Sequence, residues 1–209
     1  MQKIIFIPGW LNPAKNLETI ANLTGLDYVL LDLPADSDRS VADMAAWVAG
    51  QIAEPAYIAG HSFGGKVAIA AAALYPEKVK GIFVIAGSNR GKFIFRLLRP
   101  LIKFAKRLGF SGARFQAADY KNASPIMKRV MQKTLDFDIV PLLRRVKCPA
   151  TFVYGGFDTT TTPALGKKLA AKIPGAIFFQ LNGYNHHTIT TAGAYQLAAI
   201  IKSRTNGQV

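Results

Sequence analysis

The segment Gly60-His61-Ser62-Phe63-Gly64 is the part of the chain best suited to covalent chemistry. Its serine lies between an apolar run, Tyr57-Ile58-Ala59, and an alanine-rich stretch, Lys66–Tyr75. A strand that passes straight into a helix needs a very sharp turn. Such a turn projects one side chain outward, and small residues at Gly60 and Gly64 let the backbone approach itself. The projected group stands at a helix N-terminus, where exposed N–H groups and the helix dipole favour developing negative charge. Ser62 is therefore the candidate nucleophile.

A serine hydroxyl is a weak nucleophile until a base takes its proton, and the base needs a partner to orient it. The chain has three histidines. His61 lies within the turn itself and is poorly placed to reach Ser62. His186 and His187 follow the apolar run Ala176–Leu181 through Asn182-Gly183-Tyr184-Asn185, and one of the two is the expected base. Asp158 follows the run Ala150–Tyr154 and is the only acidic residue from position 139 to the C-terminus, which makes it the candidate orienting acid. Asp136 and Asp138 precede that run and would face the opposite edge, so they are assigned to helix ends or surface. The order serine, acid, histidine suits acyl transfer on a parallel sheet, whose reactive groups gather in loops at the strands' carboxyl ends. The oxyanion formed at the carbonyl needs two donors. One is the backbone N–H of Phe63; the other comes from Pro8-Gly9-Trp10-Leu11, with the N–H of Trp10 as candidate. This chemistry calls for no metal or other cofactor.

The elements that must position these groups alternate along the chain. Ile4–Ile7, Tyr28–Leu33, Tyr57–Ala59, Gly81–Ala86, Ala150–Tyr154 and Ala176–Leu181 read as about six strands, several of them continuously apolar as in a sheet covered on both faces. Between them run helical patterns. Ser40 and Asp43 have capping-box spacing before Val41, Met44, Ala45, Val48 and Ile52. Lys66–Tyr75 forms the helix after the turn, Thr162 caps a helix opened by Pro163, and a last helix spans Ala192–Lys202. The class is a doubly wound α/β fold with a mostly parallel sheet, built as a single domain over 1–209. Residues 88–140 interrupt the alternation with helical patterns and no strand, and read as a small helical cap insertion.

Four segments, Ile5–Trp10, Gly60–Gly65, Lys147–Asp158 and Asn182–His186, together resemble the α/β-hydrolase superfamily, in particular its small bacterial esterase-like members. The resemblance implies that His186, three residues after Gly183, is the base, with His187 the alternative. It also implies a serine esterase working through an acyl-enzyme intermediate on a small-molecule ester. Lactones, thioesters and C–C substrates yield to the same machinery, and a non-catalytic binding module is the reading from another class. Three departures accompany the match. The family's leading antiparallel hairpin is expected to be missing, Pro-Gly-Trp stands where many members have His-Gly, and the cap is short.

The chain has 209 residues and a formal net charge of +14, with half of its residues hydrophobic, which excludes a disordered chain. The excess is local. Residues 1–77 carry 4 basic and 8 acidic side chains, whereas residues 78–147 carry 17 and 3. In the latter, Ile94, Leu97, Leu98, Leu101, Ala105 and Leu108 share one helical face, with Arg96, Arg99, Lys103, Lys106 and Arg107 elsewhere. Such a helix suits a lid over an acyl pocket, or weak contact with an anionic membrane surface. No nucleic-acid motif accompanies the charge, so nucleic acid is not an expected partner. One cysteine, Cys148, and no signal-peptide or spanning segment point to a soluble cytoplasmic protein.

Overall fold

The computed structural model describes residues 2–36, 38–89 and 123–206. Six strands, β1 (Lys3–Ile7), β2 (Asp27–Leu30), β3 (Ala56–His61), β4 (Val79–Ile85), β5 (Ala150–Gly155) and β6 (Ile177–Leu181), form one parallel sheet in the order β2-β1-β3-β4-β5-β6. The helices among the described residues are α1 (Glu18–Thr24), α2 (Val41–Gly50), α3 (Phe63–Leu74), α4 (Pro125–Asp136), α5 (Val140–Leu143), α6 (Pro163–Ala170) and α7 (Ala194–Asn206).

The period-2 alternation of a strand splits its apolar residues between two cores. Ile5 and Ile7 of β1 face α2, α3 and α6, while Ile4 and Phe6 face α1 and α7. The same division recurs in β5, where Phe152 and Tyr154 belong to the first core and Val153 to the second. Burial on both faces explains why these strands read as unbroken apolar runs. The caps expected from sequence are present. Ser40 Oγ accepts from the Asp43 N–H at 3.2 Å, Asp43 Oδ2 accepts from the Ser40 N–H at 2.8 Å, and Thr162 Oγ1 accepts from the Leu165 N–H at 3.3 Å.

Several boundaries differ from the sequence reading. β2 stops at Leu30 rather than Leu33. It is an edge strand paired only with β1, and β1 ends at Ile7, before Pro8, which has no N–H to offer. α3 starts at Phe63 rather than Lys66, taking Gly64 and Gly65 into its first turn, and α7 runs from Ala194 to Asn206. α1 was not anticipated. The proposed basic helix Ile94–Leu108 lies outside the described residues.

α3 is buried on all sides from Phe63 to Ala73, and within its first turn sits a fully buried lysine. Lys66 Nζ donates to the carbonyls of Thr134 and Phe137 at 2.5 and 3.0 Å. These carbonyls close the C-terminus of α4, the negative end of its dipole, so the ammonium satisfies orphan acceptors there. These bonds tie the helix after the turn to the segment between β4 and β5.

Candidate active site

Ser62 occupies the junction of β3 and α3 with φ 52° and ψ −109°, a left-handed conformation that costs a non-glycine residue about 1–3 kcal/mol. The surrounding backbone is packed so closely that only glycine fits. A β-carbon on Gly60 would lie 2.2 Å from the Gly64 carbonyl oxygen, and one on Gly64 would lie 2.3 Å from that of Ile7. The strain is thus held by contacts on both sides of the turn. It lifts the serine hydroxyl clear of the helix that begins one residue later.

His186 Nε2 lies 3.0 Å from Ser62 Oγ, and His186 Nδ1 lies 2.7 Å from Asp158 Oδ2. The three residues follow β3, β6 and β5 at the carboxyl edge of the sheet. Local chemistry shapes each loop. Asn185 Oδ1 accepts from the N–H groups of His187 and Thr188, both at 2.9 Å, winding the chain into the turn that carries the histidine. The Phe157 N–H donates to the Tyr184 carbonyl at 2.9 Å, which joins the acid's loop to the histidine's. Gly155 permits that approach, since a β-carbon there would lie 2.3 Å from the Tyr184 oxygen.

Asp158 is buried, and burial pushes its carboxyl pKa up. The hydrogen bond from His186 and the Thr161 N–H outweigh that, and hold it below the usual carboxylate value. Its other oxygen accepts from the N–H groups of Thr160 and Thr161 at 2.8 and 2.7 Å. An ionised carboxylate at Nδ1 requires the proton of a neutral imidazole on that nitrogen, which leaves Nε2 free to accept from the serine.

His187 is exposed, its ring edge-on to that of His186 at 5.4 Å between centroids, and it makes no contact with Ser62 among the described interactions. His61 is buried, with its Nε2 3.0 Å from the His186 carbonyl oxygen. A carbonyl only accepts, so His61 carries its proton on Nε2 and donates. Desolvation, reinforced by the neighbouring His186, pulls the His61 pKa down to about 4, so the ring is neutral at pH 7. Sequence reasoning excluded His61 as the base but missed this buttressing bond, because nothing local to the turn reveals a partner 125 residues away. It also missed the Thr160 and Thr161 amides, for which the short spacing after Asp158 was the available signal.

Gly9 borders Ser62. A β-carbon on it would lie 3.6 Å from Ser62 Cβ and 3.3 Å from His61 Nδ1. The loop turns sharply here, with the Asn12 N–H donating to the Gly9 carbonyl at 3.1 Å and Leu11 at φ 57°. The Gly9–Trp10 stretch and Phe63 thus flank Ser62 from two sides. Beside them opens a cavity of about 350 Å³ walled by Trp10, Leu33, Met44, Phe63 and Met127. Met127 belongs to α4, so the stretch between β4 and β5 furnishes part of this wall. Among the described residues no group of His, Cys, Asp and Glu is arranged to hold a metal ion.

The chain is similar to several known proteins. The chain is 27% identical over 184 residues to a pimeloyl-[acyl-carrier protein] methyl ester esterase of Neisseria meningitidis, covering 70% of each chain. A protein of the same name from Chromobacterium violaceum is 26% identical, over 74% of this chain and 70% of its own. Among solved structures, the enol-lactonase of Burkholderia xenovorans superposes with a TM-score of 0.74 at 17% identity, covering 98% of this chain and 91% of that one. A thermophilic esterase of Thermogutta terrifontis gives 0.71 at 17%, covering 99% and 90%. The model of the alpha/beta hydrolase family matches residues 4–194, and the chain belongs to that family.

Proposed function

We propose that the chain is a serine hydrolase cleaving small-molecule carboxylic esters through an acyl-enzyme. The observation that carries this reading is the continuous path from Ser62 Oγ through His186 to Asp158, at 3.0 and 2.7 Å. His186 Nε2 takes the serine proton as Oγ attacks the ester carbonyl. The resulting imidazolium is stabilised by Asp158, and the oxyanion by the N–H groups of Phe63 and Trp10. Collapse expels the alcohol, which receives the proton from Nε2. Water then enters and attacks the acyl carbonyl as it loses a proton to the same nitrogen; collapse breaks the bond to Ser62 Oγ, which takes that proton back, and the acid leaves. The cavity beside Trp10 and Phe63 takes the acyl chain, its apolar walls suiting an aliphatic group.

The esterases of related sequence act on methyl esters, which supports esters as the substrate class. Residues 88–140 are read as a cap insertion, supported by α4, which sends Met127 to the cavity wall. A cytoplasmic setting belongs to the same reading, supported by a single cysteine; no helix among the described residues is long and apolar enough to cross a membrane. The test is hydrolysis of p-nitrophenyl esters graded by acyl length, with and without anionic vesicles. Ser62→Ala is expected to lose turnover by on the order of 10⁶-fold while keeping its fold. Wild-type turnover in that variant would overturn the assignment.

A further inference from the structure

Thr161 stands where the loops after β4, β5 and β6 meet, 4% exposed. Its N–H donates to Asp158 Oδ1 at 2.7 Å, and its Oγ1 lies 2.9 Å from Asp158 Oδ2. A single residue thus holds both oxygens of the carboxylate. The same Oγ1 lies 3.1 Å from His186 Nδ1 and 2.9 Å from the Ala86 carbonyl oxygen. Three partners compete for a hydroxyl that has one proton.

The chemistry decides how that proton is used. His186 Nδ1 must keep its own hydrogen if Nε2 is to accept from Ser62, so Thr161 cannot donate to Nδ1 and instead accepts a share of that N–H. Between the two oxygens, the ionised carboxylate is the stronger acceptor, since charge-assisted hydrogen bonds are about twice as strong as neutral ones. Asp158 then receives four donors: the Thr160 and Thr161 amides, the Thr161 hydroxyl and His186 Nδ1–H. That fills the lone-pair sites of a carboxylate. Its plane cannot turn about the Cβ–Cγ bond without breaking bonds to Thr161.

We propose that Thr161 is a positioning residue of the hydrolytic site, its hydroxyl locking the Asp158 carboxylate in the plane that presents Oδ2 to His186; this rests on the serine-hydrolase reading above. The hydroxyl touches neither substrate nor nucleophile. It acts through the acid, at the moment when His186 becomes cationic and needs its counter-charge in place.

The experiment compares Thr161→Val, which keeps the branched shape and removes the hydroxyl, with Thr161→Ser, which keeps the hydroxyl and removes the methyl. Ser62→Ala is measured alongside, all on a p-nitrophenyl ester. In Thr161→Val, kcat is expected to fall roughly 10-fold or more, the loss of one hydrogen bond to a charged group, with KM within about twofold. Thr161→Ser restores most of that loss. Wild-type kcat in Thr161→Val overturns the inference, as does a Thr161→Ser variant as impaired as Thr161→Val. Turnover by Ser62→Ala would overturn the serine-hydrolase reading itself. An inactive Ser62→Ala beside a fully active Thr161→Val overturns only the role given to Thr161.

Discussion

Gly64→Ala tests the packing that holds Ser62 in its strained conformation. The added β-carbon meets the Ile7 oxygen at 2.3 Å, the Pro8 oxygen at 2.6 Å and the Ile7 carbonyl carbon at 2.8 Å. All three are backbone atoms, so no flexible side chain can yield. Ordinary van der Waals contact begins near 3.4 Å, so β1 and α3 must separate by about 1 Å. Overpacking a close-packed interior costs typically 1–3 kcal/mol, and a clash confined to backbone belongs at or above the upper end. For a chain of this size, about 3 kcal/mol lowers Tm by roughly 6–12 °C. Displacement of Ser62 from Gly9 by a comparable distance costs about 100-fold in kcat. The control is Gly50→Ala. Gly50 ends α2 with nothing within 4 Å of the added carbon, and this variant is expected to gain about 0.5–1 kcal/mol. Thermal denaturation and ester turnover on the two variants and the parent decide the matter. A Gly64→Ala protein with parental Tm and kcat would refute the claim that backbone contact shapes the turn.

His186→Ala is expected to lose turnover by on the order of 10⁴-fold or more, while His187→Ala stays near the parent; steady-state kinetics on both checks the assignment of the base. His61 makes stability depend on pH. Its folded pKa of about 4 lies below the ordinary 6.5, so the unfolded chain binds the proton more readily across that interval. Its contribution is complete above pH 6.5 and is lost as pH falls toward 4, with a total on the order of 3 kcal/mol. Denaturant melts from pH 4 to 7 measure that slope, which His61→Gln should flatten. Ser62→Gly is expected to be inactive yet more stable by about 1 kcal/mol, because glycine adopts φ 52° without strain; its urea midpoint checks this.

What the sequence disclosed follows from how local each cause is. The sharp turn was legible because strand, glycines, serine and helix are contiguous, and each glycine answers a contact made within that motif or against β1. Asp158 was legible through scarcity, as no other acid follows position 139. β1, β3, β4 and β5 were visible as short, largely apolar runs, which burial on both faces of a strand produces. Other features depend on partners far away in the chain. The end of β2 is set by where β1 stops, and Gly65 packs against Gly87, whose Cα would lie 3.1 Å from an added carbon. The bond from His61 to the His186 carbonyl, the grip of Thr161 on Asp158 and the burial of Lys66 beneath α4 all join segments by tertiary contact. A pattern of residue types carries no record of these. The basic charge that dominates the composition falls mainly on residues 78–147, whereas the 1–77 segment containing Ser62 is itself net acidic.

The central claim is that Ser62 is a nucleophile activated by His186. Treating the folded protein with a fluorophosphonate and locating the adduct by peptide mass spectrometry tests it most directly. One phosphonylated residue is expected, Ser62, with labelling that collapses in His186→Ala and persists in His187→Ala. Folded parent protein that takes no label at Ser62, or is labelled equally well without His186, would contradict it.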